Sequence, residues 1–247
     1  MRKFGLIGKR LDYSFSPKYF AEKFAKENIE DCAYQAYELD NIDGLKKILS
    51  DKELIGLNVT IPYKEAIFPF ADLISEEVGT IGATNTIFKE DGKIVLYNTD
   101  VWGFSQSLVE FLGNKVKEID RALVLGTGGA SKAICYALRK LEVEPVLVSS
   151  SGKGDLGYGD LDSVISEHRL IVNTTPVGTF PDVDHAPKLP YEKIAENHFL
   201  FDLVYNPEKT LFLKRGEERG AAIKNGYDML VLQAERSWDI WNNKLSK

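Results

Sequence analysis

The sequence predicts an α/β protein of two domains, residues 1–100 and 101–225, with the segment 226–247 packing back on the first. Three observations carry this. Over the first hundred residues strand-length apolar runs alternate with helix-length amphipathic ones. A second alternation begins at a glycine-rich turn, Gly126-Thr127-Gly128-Gly129. The chain closes in a helix too apolar to be left in water. At 247 residues there is enough chain to bury two cores.

The opening reads as strand 2–8, helix 17–29, strand 33–39, helix 41–50 and strand 54–60. That βαβαβ order predicts a mainly parallel sheet, because parallel neighbours need a crossover between them. Ser16 before Pro17 is a helix-start pair, an N-cap followed by a residue that needs no N–H, and Phe20 and Phe24 then share a face. Strands 84–89 and 93–97 flank Glu90-Asp91-Gly92, whose aspartate–glycine step suits a tight hairpin. Helix 100–112 places Val101, Phe104, Leu108 and Phe111 on one stripe.

The polar stretch 113–120 breaks the pattern. Strand 122–125 then runs into the glycine turn, and helix 129–141 with strands 145–149, 169–173 and 199–203 continues as a doubly wound sheet. Residues 151–160, rich in glycine and serine, and 174–190, with Pro176, Pro181, Pro187 and Pro190, read as loops. The final helix, 227–245, carries Leu230, Ala234, Trp238, Trp241 and Leu245 at helical spacing.

Composition narrows the function. A net charge of −6 argues against a nucleic-acid surface, which needs a basic patch, and no apolar run is long enough for a bilayer. The start, Met1-Arg2-Lys3-Phe4, lacks the apolar core of a secretory leader, so a cytoplasmic location is expected. Cys32 and Cys135 make no disulfide framework and are expected to be buried thiols. His168, His185 and His198 have no metal-ligand spacing, so no metal is expected.

A strand that enters Gly126-Thr127-Gly128-Gly129-Ala130-Ser131 and leaves as a helix suits a pyrophosphate: glycines permit close backbone approach, and the helix start offers free N–H groups. This predicts a Rossmann domain. Its second strand ends Ser149-Ser150-Ser151-Gly152-Lys153. An acidic residue there would repel a 2′-phosphate, whereas hydroxyls and a lysine donate to it, which favours NADP without excluding NAD.

Further polar motifs follow in order: Ser14-Phe15-Ser16-Pro17, Asn58-Val59-Thr60-Ile61-Pro62-Tyr63-Lys64, Gly82-Ala83-Thr84-Asn85-Thr86, Asn98-Thr99-Asp100, Asn173-Thr174-Thr175-Pro176-Val177-Gly178, Val204-Tyr205-Asn206-Pro207 and Gln233. With the glycine turn, this ordered set resembles the shikimate dehydrogenase family over almost the whole chain. The resemblance implies NADP-dependent reduction of 3-dehydroshikimate to shikimate, in a site between the two sheets. Lys64 would be the acid/base and Asp100 its partner.

It implies that Ser14 and Ser16 take the substrate carboxylate with Tyr205 nearby, while Asn58, Lys64, Asn85, Asp100 and Gln233 meet ring hydroxyls. Thr60 completes a set of groups that donate and accept. On the cofactor side, the turn chemistry expects Gly126, Thr127, Gly128, Gly129 and Ala130 at the phosphates and Ser149, Ser150, Ser151 and Lys153 at the 2′-phosphate. Asn173, Thr174, Thr175, Pro176 and Val204 would lie near the nicotinamide, with Gly226 letting the backbone approach its carboxamide. The family's usual Asn-Arg-Thr is Ser149-Ser150-Ser151 here, so the arginine that stacks on adenine is missing. Two rivals remain open: a quinate/shikimate dehydrogenase using NAD, and a nucleotide-binding regulator without turnover. A monomer or homodimer is expected.

Overall fold

A computed structural model describes residues 1–12 and 14–243. The chain divides into two compact units: Met1–Thr99 with the chain from Ala234 onward, and Asp100–Gln233. The expected return at residue 226 thus lies eight residues ahead of the point where the contacts change. Leu245, expected on the last helix, lies outside the described residues.

In the first unit β1 (Arg2–Gly8), α1 (Phe15–Lys26), β2 (Cys32–Glu38), α2 (Leu45–Leu49) and β3 (Leu54–Val59) form the expected opening. β4 (Leu73–Ile74), α3 (Glu76–Ile81), β5 (Thr86–Glu90) and β6 (Lys93–Tyr97) complete it. The sheet order is β2-β1-β3-β5-β6-β4. β1 runs parallel to both β2 and β3, and β4 to β6, while β5 is antiparallel to β3 and β6. Asp91 and Gly92 both adopt positive φ, as the two-residue hairpin between β5 and β6 demands.

Ile87 and Phe88 enter different apolar clusters because successive strand residues face opposite ways. Phe88 joins Phe4, Phe20, Phe24, Trp238 and Trp241. Trp241 donates from Nε1 to Ile87 O at 2.9 Å, and only a glycine fits beneath it: a Cβ at Gly56 would stand 2.1 Å from that nitrogen. Burying each of these indoles contributes roughly 2–3 kcal/mol.

Two expectations are corrected here. Helix α1 begins at Phe15, so Ser14 holds the N-cap position, without a side-chain cap bond, and Ser16 lies inside the first turn. Pro17 is tolerated there because the first-turn N–H groups have no intrahelical acceptor anyway. Lys64 lies in the run of turns after β3 that ends in the 3-10 segment Phe68–Phe70. Cys32 is only half-buried, since β2 is an edge strand; Cys135 is buried.

The second unit holds α4 (Asp100–Leu112), β7 (Arg121–Leu125), α5 (Gly129–Lys140), β8 (Glu144–Val148), α6 (Leu161–Val164), β9 (Leu170–Asn173), β10 (Phe199–Asp202), α7 (Leu211–Glu217), β11 (Ala222–Lys224) and most of α8 (Tyr227–Trp241). Its sheet, β11-β10-β9-β7-β8, is parallel throughout. The chain leaves β7 for β8 on one side and later returns to β9 on the other, so the ends of β7 and β9 bound a crevice of the kind where open α/β sheets bind ligands. The short elements β4, α3, α6, α7 and β11 carry too few residues for a readable period.

Among the described residues no helix is long and apolar enough to cross a membrane, and no group of three metal-ligating side chains is assembled.

Candidate active site

In the first unit the predicted polar residues meet around a buried hydrogen-bonded floor. Asn58 accepts at Oδ1 from the Tyr34 phenol at 2.8 Å and donates from Nδ2 to Ser237 Oγ at 2.9 Å and Thr86 Oγ1 at 3.3 Å. Ser237 Oγ in turn lies 3.0 Å from Thr86 Oγ1 and 3.2 Å from Thr99 Oγ1. Asn85 accepts the Thr99 N–H at 2.7 Å and donates to Thr99 Oγ1 at 3.0 Å. Burial pushes the Tyr34 phenol's pKa up, against a hydrogen bond from Ser16, so Tyr34 stays a neutral donor. Tyr34, Asn58 and Asn85 are thereby joined, the two asparagines through Thr86.

Lys64 is half-buried, and its carbonyl accepts the Thr84 N–H at 2.9 Å. Thr84 precedes Asn85, whose side chain holds the N–H of Thr99; Asp100 is the next residue, buried at the start of α4. Ser14 and Thr60 line a pocket of about 390 Å³ with Lys9, Arg10, Ile61 and Pro62.

In the second unit Gly126 has φ +108°, and a Cβ there would stand 2.9 Å from Thr174 Oγ1 and 3.0 Å from Thr175 Cγ2. Glycine is required. Thr174 donates to Leu125 O from both N and Oγ1, at 3.0 and 2.6 Å, joining the ends of β7 and β9. Gly128 faces open space and gives α5 no side-chain cap, leaving the first-turn N–H groups available to an anion. Ser131, standing where a third glycine is usual, turns its hydroxyl back to Gly128 O at 2.6 Å.

Ser149 Oγ accepts the Ser151 N–H at 3.0 Å and lies 2.8 Å from Ser151 Oγ, while Ser150 and Lys153 are exposed. Gly126, Thr127, Gly129 and Ala130 are half-buried along the turn, and Pro176 is exposed. These groups fit a dinucleotide: an open backbone cradle for phosphate, and hydroxyls with one cation beyond the second strand.

The group that organises the loops after β9 and β10 is one that sequence reasoning did not single out. Asp202 at the end of β10 is fully buried; it accepts from Asn173 Nδ2 at 2.9 Å, the Val204 N–H at 3.0 Å and Thr210 Oγ1 at 2.6 Å. Asn173 Oδ1 then accepts from Thr175 N and Oγ1, at 3.1 and 2.6 Å. Burial pushes the Asp202 carboxyl up to about 6 against the hydrogen bonds from Thr210, Val204 and Asn173. Gly226 is required by the protein's own backbone, since a Cβ would lie 2.1 Å from Leu203 O. Tyr205 is half-buried, and Gln233 is buried with Nε2 donating to Leu230 O at 2.9 Å.

A shikimate dehydrogenase (NADP(+)) from Caldicellulosiruptor bescii is 38% identical over 98% of this chain and 89% of its own. The family model for the shikimate dehydrogenase substrate binding domain matches residues 6–87. The chain belongs to the shikimate dehydrogenase family. Solved family members have the same fold: shikimate dehydrogenase 1 of Peptoclostridium difficile superposes with TM-score 0.85 at 36% identity, covering 98% of this chain and 92% of its own. The Thermus thermophilus enzyme, solved with NADP(H) and shikimate, gives 0.84 at 30% identity over 98% and 94%.

Within the family pattern, sequence reasoning missed Tyr34, Ser237 and Asp202. Ser237 had a signal, being four residues after Gln233 and so on the same face of the last helix, beside Ala234, Trp238 and Trp241. Tyr34 and Asp202 had none, because each looks like one more strand residue until its neighbours are known.

Proposed function

We propose that this protein is an NADP-dependent shikimate dehydrogenase, interconverting 3-dehydroshikimate and shikimate in the chorismate branch of aromatic amino-acid biosynthesis. The reading places it in the cytoplasm. Its best support is the near full-length identity to a relative named for both shikimate and NADP(+). In this chain the supporting geometry is the tie through Asn85, which sets Thr84, bonded to the Lys64 carbonyl, against Thr99, the residue before Asp100.

Reducing a ring ketone places negative charge on its oxygen, and Lys64 donates the proton that neutralises it. Asp100 orients the Lys64 ammonium. Ser14 and Ser16 hold the substrate carboxylate with Tyr205, and Asn58, Thr60, Asn85 and Gln233 meet the ring hydroxyls. NADPH, when bound, supplies the hydride. The turn Gly126, Thr127, Gly128, Gly129 and Ala130 holds its phosphates, and Ser149, Ser150, Ser151 and Lys153 its 2′-phosphate. Asn173, Thr174, Thr175, Pro176, Val204 and Gly226 close the nicotinamide end.

Quinate with NAD, and a regulator without turnover, are weaker readings: the named relatives point to NADP and shikimate, and Lys64 and Asp100 both stand in their motifs. The test is absorbance of the reduced nicotinamide during oxidation of shikimate or quinate with NADP or NAD. Fastest turnover with shikimate and NADP is expected. Saturable shikimate binding with no turnover in any combination would instead identify a regulator.

A further inference from the structure

We propose that Lys9 and Arg10 form a cationic rim that draws the substrate's carboxylate into the pocket at the ends of β1 and β3. The proposal rests on the reading above and deepens it, assigning carboxylate capture to two residues outside the serine motif.

The position follows from topology. The chain leaves β1 through α1 to β2 on one side and later returns to β3 on the other, so the carboxyl ends of β1 and β3 bound a crevice. The pocket lined by Lys9, Arg10, Ser14, Thr60, Ile61 and Pro62 opens there. Lys9 and Arg10 directly follow Gly8, the last residue of β1, and the Lys9 N–H donates to Ile61 O at 3.4 Å. The rim's backbone is therefore tied across the crevice while both side chains are exposed.

Charge gives the position its meaning. Among the described residues neither Lys9 nor Arg10 makes an ion pair or a side-chain hydrogen bond, whereas Arg2, Lys3 and Lys23 of the same unit are each bonded to carboxylates. The neighbouring Glu38 carboxylate is engaged by the Leu11 N–H at 2.8 Å and does not line the pocket. On a chain of net charge −6, the pocket's rim carries two adjacent cations without carboxylate partners among the described residues, while the neighbouring Asp12 and Glu38 do not line it, so the charge facing into the pocket is positive. Ser14 offers a neutral hydroxyl, which orients a carboxylate at short range but attracts it weakly at long range. The cations and the hydroxyl thus divide the work: capture at the rim, hydrogen bonding within.

Exposed charges act on encounter and on binding more than on the chemical step. Steady-state kinetics of shikimate oxidation with NADP therefore test the proposal, comparing wild type with Lys9→Ala/Arg10→Ala and Lys9→Glu/Arg10→Glu. Lys46→Ala/Lys47→Ala, on exposed positions of α2, gives the same change of net charge elsewhere. We expect the alanine pair to raise the shikimate KM roughly three- to tenfold at low salt, with kcat and the NADP KM held, and the glutamate pair to raise it further. The wild-type advantage should shrink as salt shortens the screening length to below about 10 Å. A shikimate KM unchanged in Lys9→Ala/Arg10→Ala, or shifted equally by the α2 pair, overturns the rim alone. No shikimate oxidation by the wild type overturns the functional reading and the rim with it.

Discussion

Asn173 Nδ2 donates to Asp202 Oδ1 at 2.9 Å, joining the carboxyl ends of β9 and β10 through a carboxylate with no exposure to solvent. The same oxygen accepts the Val204 N–H, and Asn173 accepts from Thr175, so one buried charge organises the two loops that follow β9 and β10.

Asp202 titrates at about 6 in the fold, burial being the main cause, against about 3.9 in an unfolded chain. Between those values the folded state binds more protons, so its contribution to stability is greatest below pH 4 and is lost as pH rises through 6. In Asp202→Asn that dependence vanishes, and an amide N–H faces groups that themselves donate. Urea unfolding of both proteins from pH 4 to pH 7 should show the wild type losing, relative to the variant, on the order of 3 kcal/mol. A difference independent of pH would mean that Asp202 titrates normally.

Ser237 ties α8 to the polar floor through Asn58, Thr86 and Thr99. Ser237→Ala leaves Asn58 Nδ2 with only longer bonds, to Thr86 Oγ1 at 3.3 Å and Asn85 O at 3.4 Å. The expected cost is about 1–3 kcal/mol in denaturant unfolding, because a buried donor loses its best partner. A loss below about 0.5 kcal/mol would show that the floor rearranges freely.

Lys64→Ala should lower kcat by roughly 10²–10⁴-fold while shikimate binding, followed by calorimetry, stays within a few-fold, as general acid loss predicts. Lys64→Arg keeps the charge but holds its proton too tightly to restore kcat. Turnover by Lys64→Ala within a few-fold of wild type would remove Lys64 from the chemistry.

Ser150 is exposed at the end of β8, between two serines already bonded to one another. Ser150→Arg should lower the NADP KM roughly tenfold and leave the NAD KM unchanged, because a guanidinium adds a charge-assisted pair to the 2′-phosphate and a face for adenine. Equal effects on both cofactors would place the phosphate elsewhere.

Long elements were legible because their signals are local. The βαβαβ opening, the Asp91-Gly92 hairpin and the strand entering Gly126 each follow from residue spacing and turn chemistry within a dozen positions. Family membership was legible too, since ordered short motifs survive where no single one is decisive. The start of α1 differs by two residues from the expectation, as caps are decided by backbone geometry that Ser14 and Ser16 satisfy equally well on paper.

By itself, the sequence determined the α/β class, the glycine cradle and the polar motifs from Ser14 to Gln233, all of which depend on neighbours along the chain. Tertiary structure alone decided that Ser237 meets Asn58 across 179 positions, that Asp202 gathers Asn173 and Thr210, and that Lys9 and Arg10 rim the pocket of Ser14 and Thr60. The reason is physical: a buried polar side chain must find its hydrogen-bond partners in space, and sheet order, not sequence distance, sets who is near.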